Sequence, residues 1–199
     1  MTQERLYKWG MCKDWITEES TDTQWKYYIA KDTLYIAFQG SISKLDWLQN
    51  FSFWTKPYRK QSFRWYAHAG FVKKWKSVED DVLQVIRDNG VKEVVVFGFS
   101  QGAALATLCH ESIWYNFPEY RSTLKTYTYG SPRVVWFWNK RRLKKRFETL
   151  RRFAIDRDLV PKVPPCALGY RHVGDEEKLK GVHPFWKIEK NHLSYGGLL

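Results

Sequence analysis

The sequence predicts an α/β fold, a mostly parallel central sheet with helices on both faces. Three observations carry this expectation. Between residues 93 and 155, strand-like and helix-like stretches alternate, the order that builds a parallel sheet wrapped by helices. Val94–Phe97 is continuously apolar, as expected of a strand buried on both faces. Directly after it comes Gly98-Phe99-Ser100-Gln101-Gly102, a G-x-S-x-G turn placed between a strand and a helix, the context that gives this pattern mechanical meaning.

Taken from the N-terminus, residues 3–18 read as a short helix. Gln24–Ala30 and Thr33–Phe38 are strand-like runs about Lys31-Asp32, a hairpin signature. From Gly70 the period changes: Phe71, Trp75, Val78, Val82, Val85 and Ile86 recur at helical spacing, and Asn89-Gly90 ends the run. After the Val94–Phe97 strand, Gln101–Phe117 is helical in character and opens with small residues. Thr126–Tyr129 reads as another buried strand, closed by Gly130-Ser131-Pro132. A basic helix is expected near 136–148 and a strand at Arg152–Ile155. The segment after Pro165 carries no clear period. No repeat or Gly/Ser linker divides the 199 residues, so 1–199 is expected to form a single domain.

Composition excludes several classes. With 44% hydrophobic residues the chain is not disordered, and 12 Gly and 7 Pro without period are not collagen-like. Aromatic residues reach 18%, a large apolar payload with polar handles. No stretch approaches the roughly 18 apolar residues of a membrane-spanning helix. The N-terminus has no apolar signal region. Cys12, Cys109 and Cys166 are widely spaced, which argues against a disulfide framework or a zinc site. A reduced, cytoplasmic protein is therefore expected. Net charge is +12, concentrated in Lys140–Arg152 and, more weakly, in Lys56, Arg59, Lys60 and Arg64. Such clusters can hold phosphates of nucleic acid or of anionic lipid. The longer run reads more simply as a solvated helix face.

The turn at Ser100 points to nucleophilic chemistry. Glycines at 98 and 102 let a strained turn pass between strand and helix, lifting the serine hydroxyl to a helix N-terminus that favours negative charge. A serine nucleophile needs a base, and in this fold class the chain order is Ser, then Asp or Glu, then His. His68 lies upstream and His110 lies within the helix, which leaves His172, His183 and His192. The aspartates after Ser100 are Asp156, Asp158 and Asp175. Asp156 and Asp158 follow a strand-like run, where a loop carboxylate can reach a histidine. Spacing alone does not choose between them.

Several motifs resemble those of class 3 (fungal-type) lipases of the α/β-hydrolase fold, from about Thr33 to Tyr195. They are Phe38-Gln39-Gly40-Ser41 with Asp46-Trp47, His68-Ala69-Gly70-Phe71, the turn at Ser100, and Tyr129-Gly130-Ser131-Pro132-Arg133-Val134. Further on come Asp158-Leu159-Val160-Pro161 with Pro164-Pro165, Tyr170-Arg171-His172-Val173-Gly174, and His192 with Tyr195. The resemblance implies Asp158 as triad acid and His192 as base, with His172 structural. It implies an oxyanion hole from Ser41 and the Gln101 backbone N–H. It also places a lid near 42–66, where Trp47, Leu48, Phe51, Phe53 and Trp54 stand beside basic residues; these rings suit an interfacial flap or a core equally well. Departures from the family pattern are Phe99, Gln101 and Gln39, where the family often has His, Leu and Arg.

The function expected is hydrolysis of carboxylic esters of lipids or small molecules, with no metal or cofactor. The alternative within the class is a phospholipase or lysophospholipase. The alternative outside it is a basic nucleic-acid-binding module, for which no motif speaks, so no nucleic-acid partner is expected. Contact with an anionic lipid surface fits the charge. The oligomeric state is left open. Only seven residues follow His192, so a base there requires a docked tail, which Tyr195 and the closing Gly-Gly-Leu-Leu would supply.

Overall fold

The computed structural model describes residues 1–40, 54–60, 63–136, 143–184 and 186–198. The chain opens with α1 (Gln3–Gly10), whose N-cap Thr2 accepts a hydrogen bond from the Arg5 amide. The helix expected over 3–18 ends at Gly10, for two reasons. A Cβ at Gly10 would lie 2.3 Å from the Phe97 ring, so the chain passes flush against the sheet there. The buried Lys26 ammonium donates to the carbonyls of Trp9 (2.7 Å) and Cys12 (3.0 Å), satisfying groups that a helix end leaves open. Ile16–Glu18 is instead a short strand, β1, antiparallel to β2 (Thr23–Ala30). β2 turns at Lys31-Asp32 into β3 (Thr33–Phe38), with Lys31 at φ 55°. The hairpin stands as the sequence suggests.

β4 (Thr55–Lys60) and β5 (Phe63–His68) form a second hairpin, followed by α2 (Ala69–Asn89). His68 caps α2 by accepting from the Phe71 amide, and Gly90, at φ 51°, closes it in the left-handed conformation. β6 (Glu93–Phe99) leads into α3 (Gln101–Asn116), then β7 (Lys125–Tyr129), β8 (Val135–Trp136) and β9 (Leu150–Ile155). β10 (Tyr170–Arg171), β11 (Asp175–Leu179) and α4 (Ile188–Leu193) complete the described elements.

Among the described residues the main sheet runs β1-β2-β3-β6-β7-β9-β11, parallel from β3 to β11, and a smaller antiparallel sheet runs β10-β8-β5-β4. Strand parity divides the core. Leu34, Ile36, Phe38, Val94 and Val96 pack under α2 and α3, with Phe71, Trp75 and Leu105. Tyr35, Ala37, Val95, Phe97 and Phe99 face the other way, onto Leu6 and Tyr7 of α1 and Tyr195 of the C-terminal segment. Helices therefore cover both faces, as expected.

Two other expectations fall partly on residues that are not described. In the described part of 136–148, Val135–Trp136 is a strand, Leu143 is α-helical and Lys144–Phe147 is a 3₁₀ turn, so most of the basic helix expected there falls on residues that are not described. The Arg146 carbonyl is bonded to His110 and its guanidinium pairs with Glu111, so this turn is fastened to α3. Residues 137–142 lie outside the described residues. Of the segment read as a lid, 42–53, 61 and 62 also lie outside them, with Trp47, Leu48, Phe51 and Phe53; residues 55–60 and 63–66 are β4 and β5. Trp54 is 78% exposed. Pro57 sits in β4, at the edge of its sheet, where a missing N–H is tolerated.

Candidate active site

The register of the parallel strands sets Phe38, Gly98, Thr128 and Arg152 side by side. The loops that leave the C-terminal ends of β3, β6, β7 and β9 therefore meet at one edge, where open α/β sheets place their sites. At that edge Ser100 adopts φ 55°, ψ −124°. This left-handed conformation is one a side chain adopts only under constraint, at a cost on the order of 1–3 kcal/mol. The constraint is visible. A Cβ at Gly98 would lie 2.4 Å from the Gly102 carbonyl oxygen, and one at Gly102 would lie 2.2 Å from that of Phe38. The Ser100 amide donates to the Tyr129 carbonyl (2.9 Å), and the Ser100 carbonyl accepts from Ala103 (3.0 Å). Both glycines are required, as the turn signature implies.

Asp158 follows β9 and is fully buried. Its Oδ1 accepts from the Val160 amide (2.9 Å), and its Oδ2 faces His192 Nδ1 at 2.8 Å. A ring nitrogen facing a carboxylate carries the hydrogen, which leaves Nε2 as the basic nitrogen. Nε2 is buried and has no partner among the described residues. The His192 ring stacks on Phe99, the residue before Ser100, with centroids 4.8 Å apart. Gly130 lies beneath the pair at φ 59°, where a Cβ would come within 2.7 Å of His192 Cε1 and 3.1 Å of Asp158 Oδ2.

The structure thus brings Asp158 and His192 together and sets them beside the Ser100 turn. Asp156, Asp175 and His172, three of the competing candidates, have partners elsewhere. Asp156 accepts from the Gly181 amide, and Asp175 pairs with Arg151 on the surface. The His172 ring bonds the Pro161 carbonyl. Gln101 is the first residue of α3. Ser41 lies outside the described residues, but Gly40 before it passes Ser100 so closely that a Cβ would lie 3.1 Å from Ser100 Cβ. Among the described residues no group of three His, Cys, Asp or Glu side chains could hold a metal ion.

Three residues named in the sequence have roles at the site that the sequence reading did not assign. Phe99 carries the imidazole, Gly130 makes room for it, and the Tyr195 hydroxyl donates to Asp158 Oδ2 at 2.8 Å. The signal for Gly130 was present: a glycine directly after a buried strand, at the same sheet edge as the serine turn.

Comparison with known proteins places this fold in a family. The family model for lipase (class 3) matches residues 35–168. A secreted mono- and diacylglycerol lipase A from Penicillium cyclopium is 34% identical over 168 residues, covering 79% of this chain and 53% of that protein. The solved Rhizomucor miehei triacylglyceride lipase superposes with a TM-score of 0.83 at 25% identity, over 94% of this chain and 80% of that one. A triacylglycerol lipase described as having a serine protease triad at its catalytic centre gives 0.73 at 28% identity, over 83% and 64%. The chain spans about half the length of the first of these relatives. The cytoplasmic expectation is corrected by the same comparison: relatives from Penicillium and Fusarium are named as secreted, which points away from the cytoplasm.

Proposed function

This chain belongs to the class 3 lipase family, and from that premise we propose that it hydrolyses carboxylic esters of lipids through an acyl-enzyme. Ser100 Oγ attacks the acyl carbonyl while His192 Nε2 takes its proton. Asp158 holds the imidazole by Nδ1–H and stabilises the imidazolium charge. The tetrahedral oxyanion is held by the backbone N–H groups of Gln101, at the start of α3, and of Ser41. His192 then returns its proton to the leaving alcohol, and water, activated by the same nitrogen, frees the acid. No step calls for a metal or cofactor.

The observation that carries this reading is the His192 imidazole, held at one nitrogen by buried Asp158 and open at the other, stacked on the residue before the strained serine. The exposed Trp54 and the net charge of +12 support contact with an anionic lipid surface, and the segment 42–66 is proposed as the lid of a single domain. The test is a p-nitrophenyl ester series of increasing acyl length, run with and without lipid vesicles, with Ser100→Ala as control. Turnover that rises with acyl length and with the interface is expected, and the control should be silent. Equal turnover in wild type and control would refute the reading.

A further inference from the structure

Asp158 Oδ2 receives two donors, His192 Nδ1 and the Tyr195 hydroxyl, each at 2.8 Å. Tyr195 is as buried as Asp158. Its oxygen already accepts the Ile155 amide at 3.1 Å, so its single proton is committed to the carboxylate. Burial first, and the Asp158 charge second, push ionisation of this phenol far above its ordinary range, which keeps it a donor. The tail that carries Tyr195 is held from beyond the site by α1. The Gly196 amide bonds the Tyr7 phenol, and a Cβ at Gly196 would lie 2.8 Å from the Tyr7 ring. Tyr7 in turn meets Tyr129 and Phe99 edge-on.

We propose that Tyr195 is a positioning residue that shares Asp158 Oδ2 with His192, sets how much carboxylate charge the imidazolium feels, and is itself held in place by Tyr7. This deepens the proposed function and rests on the assignment of Ser100, Asp158 and His192. When His192 takes the serine proton, its stabilisation comes from the charge on Oδ2. A phenol on the same oxygen withholds part of that charge and fixes the rotation of the carboxylate. The titratable and charged groups around the pair are Ser100 from the turn, Tyr129 from β7, Tyr7 from α1, and Tyr195 itself; Arg152 of β9 acts electrostatically on the Tyr195 phenol. Replacing Tyr195 by Phe alters none of the others.

Tyr195→Phe removes one oxygen and keeps the ring. With its second donor gone, Asp158 holds the imidazolium more strongly. The acidic limb of the kcat/KM profile should then move to higher pH by about half a unit. Plateau kcat on a short soluble ester should fall about tenfold through looser orientation. The Ile155 amide also loses its acceptor, so Tm drops too, and the limb is the deciding readout because a merely structural role would leave it in place. Tyr7→Phe, which touches no triad atom, should move the limb the same way by less, and it carries the test alone if Tyr195→Phe fails to fold. A limb that stays put or moves down would overturn the proposal. If Asp158→Asn and Ser100→Ala both keep wild-type turnover, the triad assignment fails instead; if both are inactive and the limb is unmoved, only the positioning role fails.

Discussion

His110 in the middle of α3 and His192 near the end of α4 are both buried, at 0% and 4% exposure, and each stacks on a phenylalanine, Phe147 and Phe99 respectively. Their hydrogen bonds differ. His110 spends both nitrogens: Nε2 donates to the Arg146 carbonyl at 2.7 Å, and Nδ1 accepts from the Thr126 hydroxyl at 2.8 Å. Among the described residues no carboxylate bonds it, and burial pushes its pKa down to about 4, so it stays neutral and serves as a crosslink. His192 has a carboxylate on one side and, among the described residues, no partner for the nitrogen on the other. Burial and ring stacking are common to both, so neither marks a base. The carboxylate partner of the first nitrogen does.

The largest effect should come from exchanging the two roles. His192→Ala is expected to lower kcat by about five orders of magnitude or more, as removal of a triad base does elsewhere, with little change in Tm. His110→Ala should leave kcat of the folded protein within about twofold but cost about 2–4 kcal/mol of stability, read by urea denaturation, because it opens a cavity and orphans a buried hydroxyl and carbonyl. A folded but inactive His110→Ala would break the comparison.

The carboxylates give the next largest effect. Asp158→Asn should lower kcat about ten-thousandfold, since the amide no longer sets the histidine tautomer. Asp156→Asn should change it by no more than about threefold, because Asp156 serves the Gly181 amide instead. Steady-state assays on one soluble ester suffice to separate them.

Acid stability is the smallest effect and sharpens the contrast. The folded-state pKa of His110 lies near 4, below the value of 6.5 for a free histidine. The unfolded chain therefore binds a proton that the folded chain refuses, and stability falls as pH drops from about 6.5 towards 4. Integrated over that window the loss is about 3 kcal/mol. His110→Gln should be less stable at pH 7 yet lose less than wild type between pH 7 and 4 in parallel urea titrations.

What the sequence disclosed follows from the range of each interaction. The Ser100 turn was legible because strand, glycines and helix are contiguous, and each glycine answers to a clash within the same few residues or with the adjoining strand. The choice of Asp158 over Asp156 was not legible from spacing. It depends on which carboxylate is buried beside an imidazole 34 residues away. The N-terminal helix was read too long because Trp15 and Ile16 continue an apolar pattern, while the stop is imposed from outside by Phe97 and Lys26. The small sheet went unread because β8 and β10 have two residues each, too few to display a period. Tyr195 was anticipated as an anchor for the tail, but its bond to Asp158 arises only when the chain end folds back beneath β9.

The central claim is that Ser100, activated by His192, is the nucleophile of this fold. Its most direct test is stoichiometric labelling with a fluorophosphonate, followed by peptide mapping of the adduct in wild type, Ser100→Ala and His192→Ala. One adduct per chain on Ser100 is expected in the wild type, none in Ser100→Ala, and labelling slowed by about three orders of magnitude or more in His192→Ala. An adduct on any other serine, or undiminished labelling of Ser100→Ala, would contradict it.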